Sequence, residues 1–242
     1  MRNCHFSSCL IAFCCAVAIC SNVLAADKRG SSRTAKATVA SSGGEVREFD
    51  VRVDNKTLGS HRLTIKSNGD DQTVGIQTDV KVDVIIYSYA FKFRGTEVWR
   101  DGKLAQTEVQ CEDNGKKRSF SLKSDGKLQL ISFNGKSQKD ADDCVLTTSY
   151  WKLPHSDVRD KTLPIACIET GKTTTANLDL VGNDTVSVGG RMIQCRHYKI
   201  DGPSPAELWF DDRDLLVKQK SVERGHLTEL RLKQIRAAKE EK

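Results

Sequence analysis

From Glu45 onward, apolar and polar residues alternate with few interruptions. Phe49, Val51 and Val53 take turns with Asp50, Arg52 and Asp54, the two-residue period of a half-buried strand. Asn55-Lys56-Thr57-Leu58-Gly59 supplies a turn. His61, Leu63 and Ile65 then alternate with Ser60, Arg62, Thr64 and Lys66 to complete a hairpin. The longest run places Val74, Ile76, Thr78, Val80, Val82 and Val84 on one face. At Ile85-Ile86 the phase flips, so that Tyr87, Tyr89, Phe91 and Phe93 share a face opposite Ser88, Ala90, Lys92 and Arg94. A one-residue slip exchanges the faces of a strand, so a bulge or sharp bend is expected near residues 84–86.

The rhythm continues through Ala105, Thr107, Val109 and Cys111 after a hairpin-type Asp101-Gly102, and through Phe120 and Leu122 after Asn114-Gly115. Pro154 and Pro164 bracket a loop suited to a short helix. Strands resume over Thr174–Val181, Thr185–Val188 and Met192–Ile200, then Ala206–Asp211, Leu215–Val222 and Leu227–Ile235. Short strands joined by tight turns predict an all-β fold: one strongly curved antiparallel meander, a half-barrel or open barrel with little helix.

The two ends read differently. Met1 to Ala25 has Arg2 as its only charge in a short n-region, an apolar stretch from about Cys9 to Ile19, and Val23-Leu24-Ala25 before Ala26. That is the pattern of a cleaved signal peptide, too short in its apolar run to span a bilayer comfortably. Residues 26–45 are rich in Ser, Gly, Thr, Ala and Lys and read as a flexible leader. The β domain then covers 46–236, and 237–242 are expected to fray. The reading is an exported protein, periplasmic or extracellular, without a transmembrane span in its mature form.

Among 242 residues, 38 % are hydrophobic and 29 % charged, enough apolar material for one core. The formal net charge is +6, falling to +5 once Arg2 leaves with the signal. Lys28, Arg29, Arg33 and Lys36 near the start, with Arg231, Lys233, Arg236, Lys239 and Lys242 near the end, suit solvated termini. They do not make the dense basic stripe with aromatic platforms of a nucleic-acid binder. Five of nine cysteines lie in the signal, leaving Cys111, Cys144, Cys167 and Cys195. An even number in an exported chain suggests two disulfides, for which Cys111–Cys144 with Cys167–Cys195 is the favoured pairing of three. Each would close about 30 residues and stabilise by roughly 3–4 kcal/mol on the chain-entropy model. A metal site built on Cys195 and His197 lacks two further ligands.

Phe49-x-Val51-x-Val53…Gly59, Trp99-x-Asp101-Gly102-x-Leu104, Asp113-Asn114-Gly115-Lys116, Thr148-x-Tyr150-Trp151…Pro154 and Tyr198-x-Ile200-x-Gly202 form a sequence of motifs. Together with Leu208-Trp209-Phe210-Asp211…Leu215-Leu216-Val217 they resemble an uncharacterised group of bacterial exported proteins, a domain of unknown function. The resemblance covers about residues 46–235 and brings no activity with it. The closing strand pair is also similar to the curved sheets of the LolA and LolB lipoprotein carriers, which implies a half-barrel with an apolar ligand in its concavity. The chain departs from that pattern in lacking long helices to plug it.

Tyr87, Tyr89, Phe91 and Phe93, with Trp99, Trp151 and Trp209, are therefore the candidate lining of a groove for an apolar small molecule or lipid. The core face of a central strand is the competing explanation. No G-x-S-x-G, H-E-x-x-H, phosphate loop or dinucleotide fingerprint is present, and no cofactor is implied. His155, in the loop beside Trp151, is the one accessible candidate for acid–base work. His61 and His197 fall on strands, where a structural imidazole is the default. Asp211, Asp212 and Asp214 could offer oxygen ligands to Ca²⁺, although a charged hairpin tip is the commoner identity. Asn55-Lys56-Thr57 and Asn183-Asp184-Thr185 fit a glycosylation pattern. The leading expectation is an exported, non-enzymatic binding or carrier module. The alternative is a structural or interaction domain of the cell envelope with a filled core and a protein partner, with a hydrolase-type enzyme behind both.

Overall fold

The computed structural model describes residues 43–84, 87–124, 129–140, 144–159, 161–202, 204–223 and 225–238. The expected signal segment, the leader as far as Ser42 and the tail from Lys239 lie outside the described residues.

Eight strands come first: β1 (Gly43–Val53), β2 (Lys56–Asn68), β3 (Asp71–Val84), β4 (Tyr87–Arg100), β5 (Lys103–Asp113), β6 (Lys116–Ser124), β7 (Gln129–Phe133) and β8 (Lys136–Asp140). Each pairs antiparallel with the next. A second meander contains β12 (Leu178–Val188), β13 (Arg191–Ile200), β14 (Ala206–Phe210), β15 (Leu216–Glu223) and β16 (His226–Ala237). The two meanders join where β16 pairs with β1, giving one 13-stranded antiparallel sheet with β12 and β8 at its open edges. Turn residues set the register. Asp54-Asn55, Asp101-Gly102, Asn114-Gly115 and Asn134-Gly135 all have positive φ, as two-residue hairpins of matching twist require.

The expected bulge near 84–86 is a chain reversal. Val84 stands opposite Tyr87, Val82 opposite Tyr89 and Val80 opposite Phe91, so the phase flips because β3 ends and β4 begins. Both apolar series then share one face, since directly opposed residues lie on the same side of a sheet. Residues Ile85 and Ile86 between them lie outside the described residues. At the other terminus, Ala237 is paired with Glu45 and the Ala238 amide donates to the Gly44 carbonyl at 2.8 Å, so pairing outlasts the expected fraying point.

Between the meanders the chain makes a separate three-stranded sheet of β9 (Leu146–Thr147), β10 (Leu163–Cys167) and β11 (Lys172–Ala176), with β9 parallel to β10. A 3-10 turn at Ser156–Val158 falls in the loop that Pro154 opens, whereas Pro164 sits within β10. This insert supplies fully buried groups, among them Trp151, Leu153, Leu163 and Ile165, each 1 % exposed or less. They share one apolar cluster with Phe49, Leu63, Ile76 and Ile131 from the first meander and Ile200, Leu208 and Phe210 from the second. The sheet therefore bows around the insert. At Gly171 the insert touches β7 so closely that a Cβ would lie 2.4 Å from the Phe133 Cβ, and its φ of +69° is glycine's territory.

Candidate functional site

Glu97 lies on β4 with the parity of Phe91, Phe93 and Trp99, and parity turns its carboxylate inward, where it is 1 % exposed. There it collects four donors. The indole N–H groups of Trp99 and Trp151 reach Oε2 at 3.0 and 2.7 Å, and the hydroxyls of Thr147 and Ser149 reach Oε1 at 2.6 and 2.9 Å. Three of these donors belong to the insert, so one carboxylate fixes the turn that runs from Thr147 to Trp151. The two indoles meet edge to face with centroids 5.9 Å apart. Lys152 passes over both rings to donate to Gln72 Oε1 at 2.5 Å. Burial lowers the Lys152 ammonium below its ordinary range, against an opposing pull from Asp214. Tyr150 sits between them with φ +46° and donates its hydroxyl to the Ser204 carbonyl at 3.1 Å.

A second polar knot closes the other side of the insert. Arg47, 1 % exposed on β1, donates to Glu45, to the Leu216 carbonyl at 2.9 Å and to Asp211. Asp211 also accepts the backbone amides of Arg213 and Leu215, each at 3.0 Å. Asp214 takes Arg159 at 2.8 Å and Arg196, and Arg213 returns to Glu45. Asp211 and Asp214, offered by the sequence as cation ligands, are thus held by guanidinium groups, while Asp212 is exposed. Among the described residues no group of three or more His, Cys, Asp or Glu is placed to hold a metal ion. Local positive charge already satisfies these carboxylates.

The aromatic candidates do not gather in one groove. Tyr89 is buried and donates to Asp113 Oδ1 at 3.0 Å; Phe91 and Phe93 are half-buried on the same face. Trp99 and Trp151 belong to the Glu97 knot. Trp209 is on the opposite face of the sheet, as the register shows: it stands across from Lys218, then Arg231, Asp50, Ser60, Asp79 and finally Lys92, which alternates with the phenylalanines. There it stacks on His197 at 4.1 Å, donates to Asp184 and lies under the Lys218 ammonium. The side chain of Tyr87 lies outside the described residues.

A crevice remains where Phe91 and Phe93 of β4 and Cys111 of β5 face Ile168 and Glu169 of the insert, with Arg118 at its side. Its volume of about 30 Å³ accommodates a water or two. Among the described residues, the insert packs Trp151, Leu153, Leu163 and Ile165 into the same apolar cluster as the sheet's inward residues.

The expected disulfides Cys111–Cys144 and Cys167–Cys195 are not formed. Cys144 Sγ faces Thr173 Oγ1 at 3.9 Å, Cys167 Sγ faces Glu169 Oε2 at 3.3 Å, and Cys195 Sγ faces the Ile193 carbonyl at 3.6 Å. Burial raises all three perturbed thiols, Cys111 and Cys167 upward and Cys195 to about 11, which disfavours the reactive thiolate. Spacing along the chain suggested the pairs, but the insert carries Cys144 and Cys167 inside, Cys111 of β5 faces Ile168 and Glu169 across the crevice, and Cys195 lies on β13 of the second meander. His155 stands exposed with Asp157 at 2.6 Å and is not part of the crevice. The hydrogen bond from His155 lowers the Asp157 carboxyl.

His61 is buried at 6 % exposure against Phe49, its Nδ1 2.8 Å from Thr78 Oγ1 and its Nε2 without a hydrogen-bond partner. Burial disfavours the imidazolium and lowers the pKa to about 4. The unfolded chain takes up the proton first, so this contribution is whole above about pH 6.5 and drains away as pH falls toward 4. Between neutral pH and about pH 4.5 the loss comes to roughly 2–3 kcal/mol. Urea titrations of the wild type and His61→Gln across that window should show a steeper decline for the wild type; parallel curves would refute the assignment.

No curated protein matches the chain. A family model described as "Domain of unknown function (DUF6134)" matches residues 49–233. The fold is similar to that of the crystal structure of a "Beta-barrel-like Protein of Domain of Unknown Function DUF1849 from Brucella abortus", with a TM-score of 0.60 at 9 % identity, covering 82 % of this chain and 99 % of that one. At that identity the likeness concerns the fold alone.

Proposed function

The chain belongs to the family of the domain of unknown function DUF6134, and within that family we propose that it is an exported, non-catalytic interaction domain of the cell envelope. The observation that carries this reading is the filled interior. The insert, residues 144–159 and 161–176, occupies the bowl of the sheet and is locked there by the Glu97 and Arg47 knots, which leaves the outer surface and strand ends as the working parts. The signal pattern of residues 1–25 supports export.

Native mass spectrometry of protein drawn from the export fraction should give the bare polypeptide mass, and in-cell crosslinking should recover envelope components. A retained lipid-sized mass would instead favour the second reading, an apolar-ligand carrier. One observation speaks for that carrier: half-buried Phe91 and Phe93 flank a crevice that a moving 168–169 turn could enlarge.

A further inference from the structure

In an antiparallel meander every second turn lies at the same end of the sheet. Here β1, β3, β5, β7 and β15 all finish at one rim. Three of the turns that follow carry a lysine as the first residue of the returning strand: Lys56 after Asp54-Asn55, Lys116 after Asn114-Gly115 and Lys136 after Asn134-Gly135. All three side chains are exposed.

Two of the acidic groups beside these turns are engaged within the protein, and Glu112, half-buried, stands opposite Lys117. Asp54 accepts from His226 at 2.5 Å and from the Leu227 amide at 3.1 Å; Asp113 is buried and bound to Tyr89. The first of those contacts also ties the Lys56 turn to the end of the β15–β16 hairpin. That hairpin end bears Val222 and Leu227, a cross-strand pair 69 % and 38 % exposed. Two aliphatic side chains at a hairpin tip and lysines distributed along a curved rim thus share one end of the sheet, the lysines paired with inward residues Val53, Asp113 and Phe133 and the aliphatic pair one place off that parity on the other face.

We infer that this rim is a membrane-docking edge, in which Lys56, Lys116 and Lys136 meet anionic lipid headgroups while Val222 and Leu227 enter the interfacial layer. The inference rests on the envelope reading above and names its partner. The geometry favours a bilayer over a peptide because the lysines lie on separate turns around a bowed sheet. No single extended segment follows such an arc, whereas a plane meets all the strand ends at once. Each lysine near an anionic surface is worth about fivefold in partitioning, so three together give roughly a hundredfold, screened by salt. The aliphatic pair adds a salt-insensitive part.

Co-sedimentation with vesicles tests it, using chains with identical N-termini so that any contribution of residues 1–42 cancels. The wild type should bind phosphatidylglycerol-containing vesicles far better than phosphatidylcholine alone. Replacing the three lysines by glutamine should cut that binding about a hundredfold, with melting unchanged. Val222→Ser with Leu227→Ser should weaken what remains at high salt. Arg100→Gln with Lys103→Gln, at the opposite rim, should bind as the wild type does.

Equal binding by the lysine variant, or equal affinity for both lipids, overturns the proposal. So does a rim that ignores vesicles yet crosslinks to an envelope protein, in which case the rim is a protein interface and the envelope reading survives. A retained lipid mass with rim-dependent vesicle binding would overturn the filled-core reading and leave the rim standing.

Discussion

Glu97→Ala should lower the unfolding free energy by about 4 kcal/mol, among the largest losses any single substitution in this protein can produce. The substitution removes the acceptor for two indole N–H groups and two hydroxyls in a region closed to water, and each buried orphan donor costs about 1–3 kcal/mol. Partial relaxation keeps the total below the simple sum. For a domain of this size, thermal melting should drop by roughly 10–15 °C. Glu97→Gln discriminates between loss of an acceptor and loss of bulk. Its carbonyl can still serve the indoles, and its amide can donate to the Thr147 and Ser149 hydroxyls, which also accept. That variant should recover more than half of the loss. If both variants melt alike, the hydrogen-bonded hub is not what holds the insert. Hydrogen exchange offers a local check: amides of residues 146–153 should lose protection before those of β1 to β3.

Arg47→Ala should cost about 3–5 kcal/mol, for a different reason. The guanidinium ties its neighbour Glu45 to the distant Asp211–Leu216 turn, and Asp211, itself 5 % exposed, would keep its charge in a buried place with only backbone amides for company. Arg47→Lys should restore little, since an ammonium cannot present a planar fork to Glu45, Asp211 and the Leu216 carbonyl together. The effect should show as a lowered urea midpoint with an unchanged slope. A reduced slope would mean that β1 has come away from the β14–β15 turn in the native state. A full rescue by lysine would show that charge alone, without the fork, is what the site requires.

Neither residue stood out as a candidate on reading the chain, yet the signal was there. Period two puts Glu97 on the same face as Phe91, Phe93 and Trp99, and puts Arg47 on that of Phe49, Val51 and Val53. A charged residue in phase with an apolar series is either a surface exception or a buried group with partners of its own. Thr147-x-Ser149-x-Trp151 shows the complementary donors at the same period. What no period reveals is that these two segments meet, because Glu97 and Trp151 are separated by strands β5 to β8. The aromatic strip is legible as a face but not as core or groove, for the same reason: alternation says which side a residue takes, and nothing about what covers that side.

Alternation, Asx-Gly turns and the scarcity of helical spacing were sufficient to determine an antiparallel all-β chain, since side-chain period and turn geometry are local properties of the backbone. The joining of first strand to last, the insert that fills the bowl, the unbridged cysteines and the two buried charge knots were decided only in three dimensions. They depend on contacts between segments far apart in sequence, where packing and the need to pair every buried polar group choose among arrangements that the local pattern leaves equal.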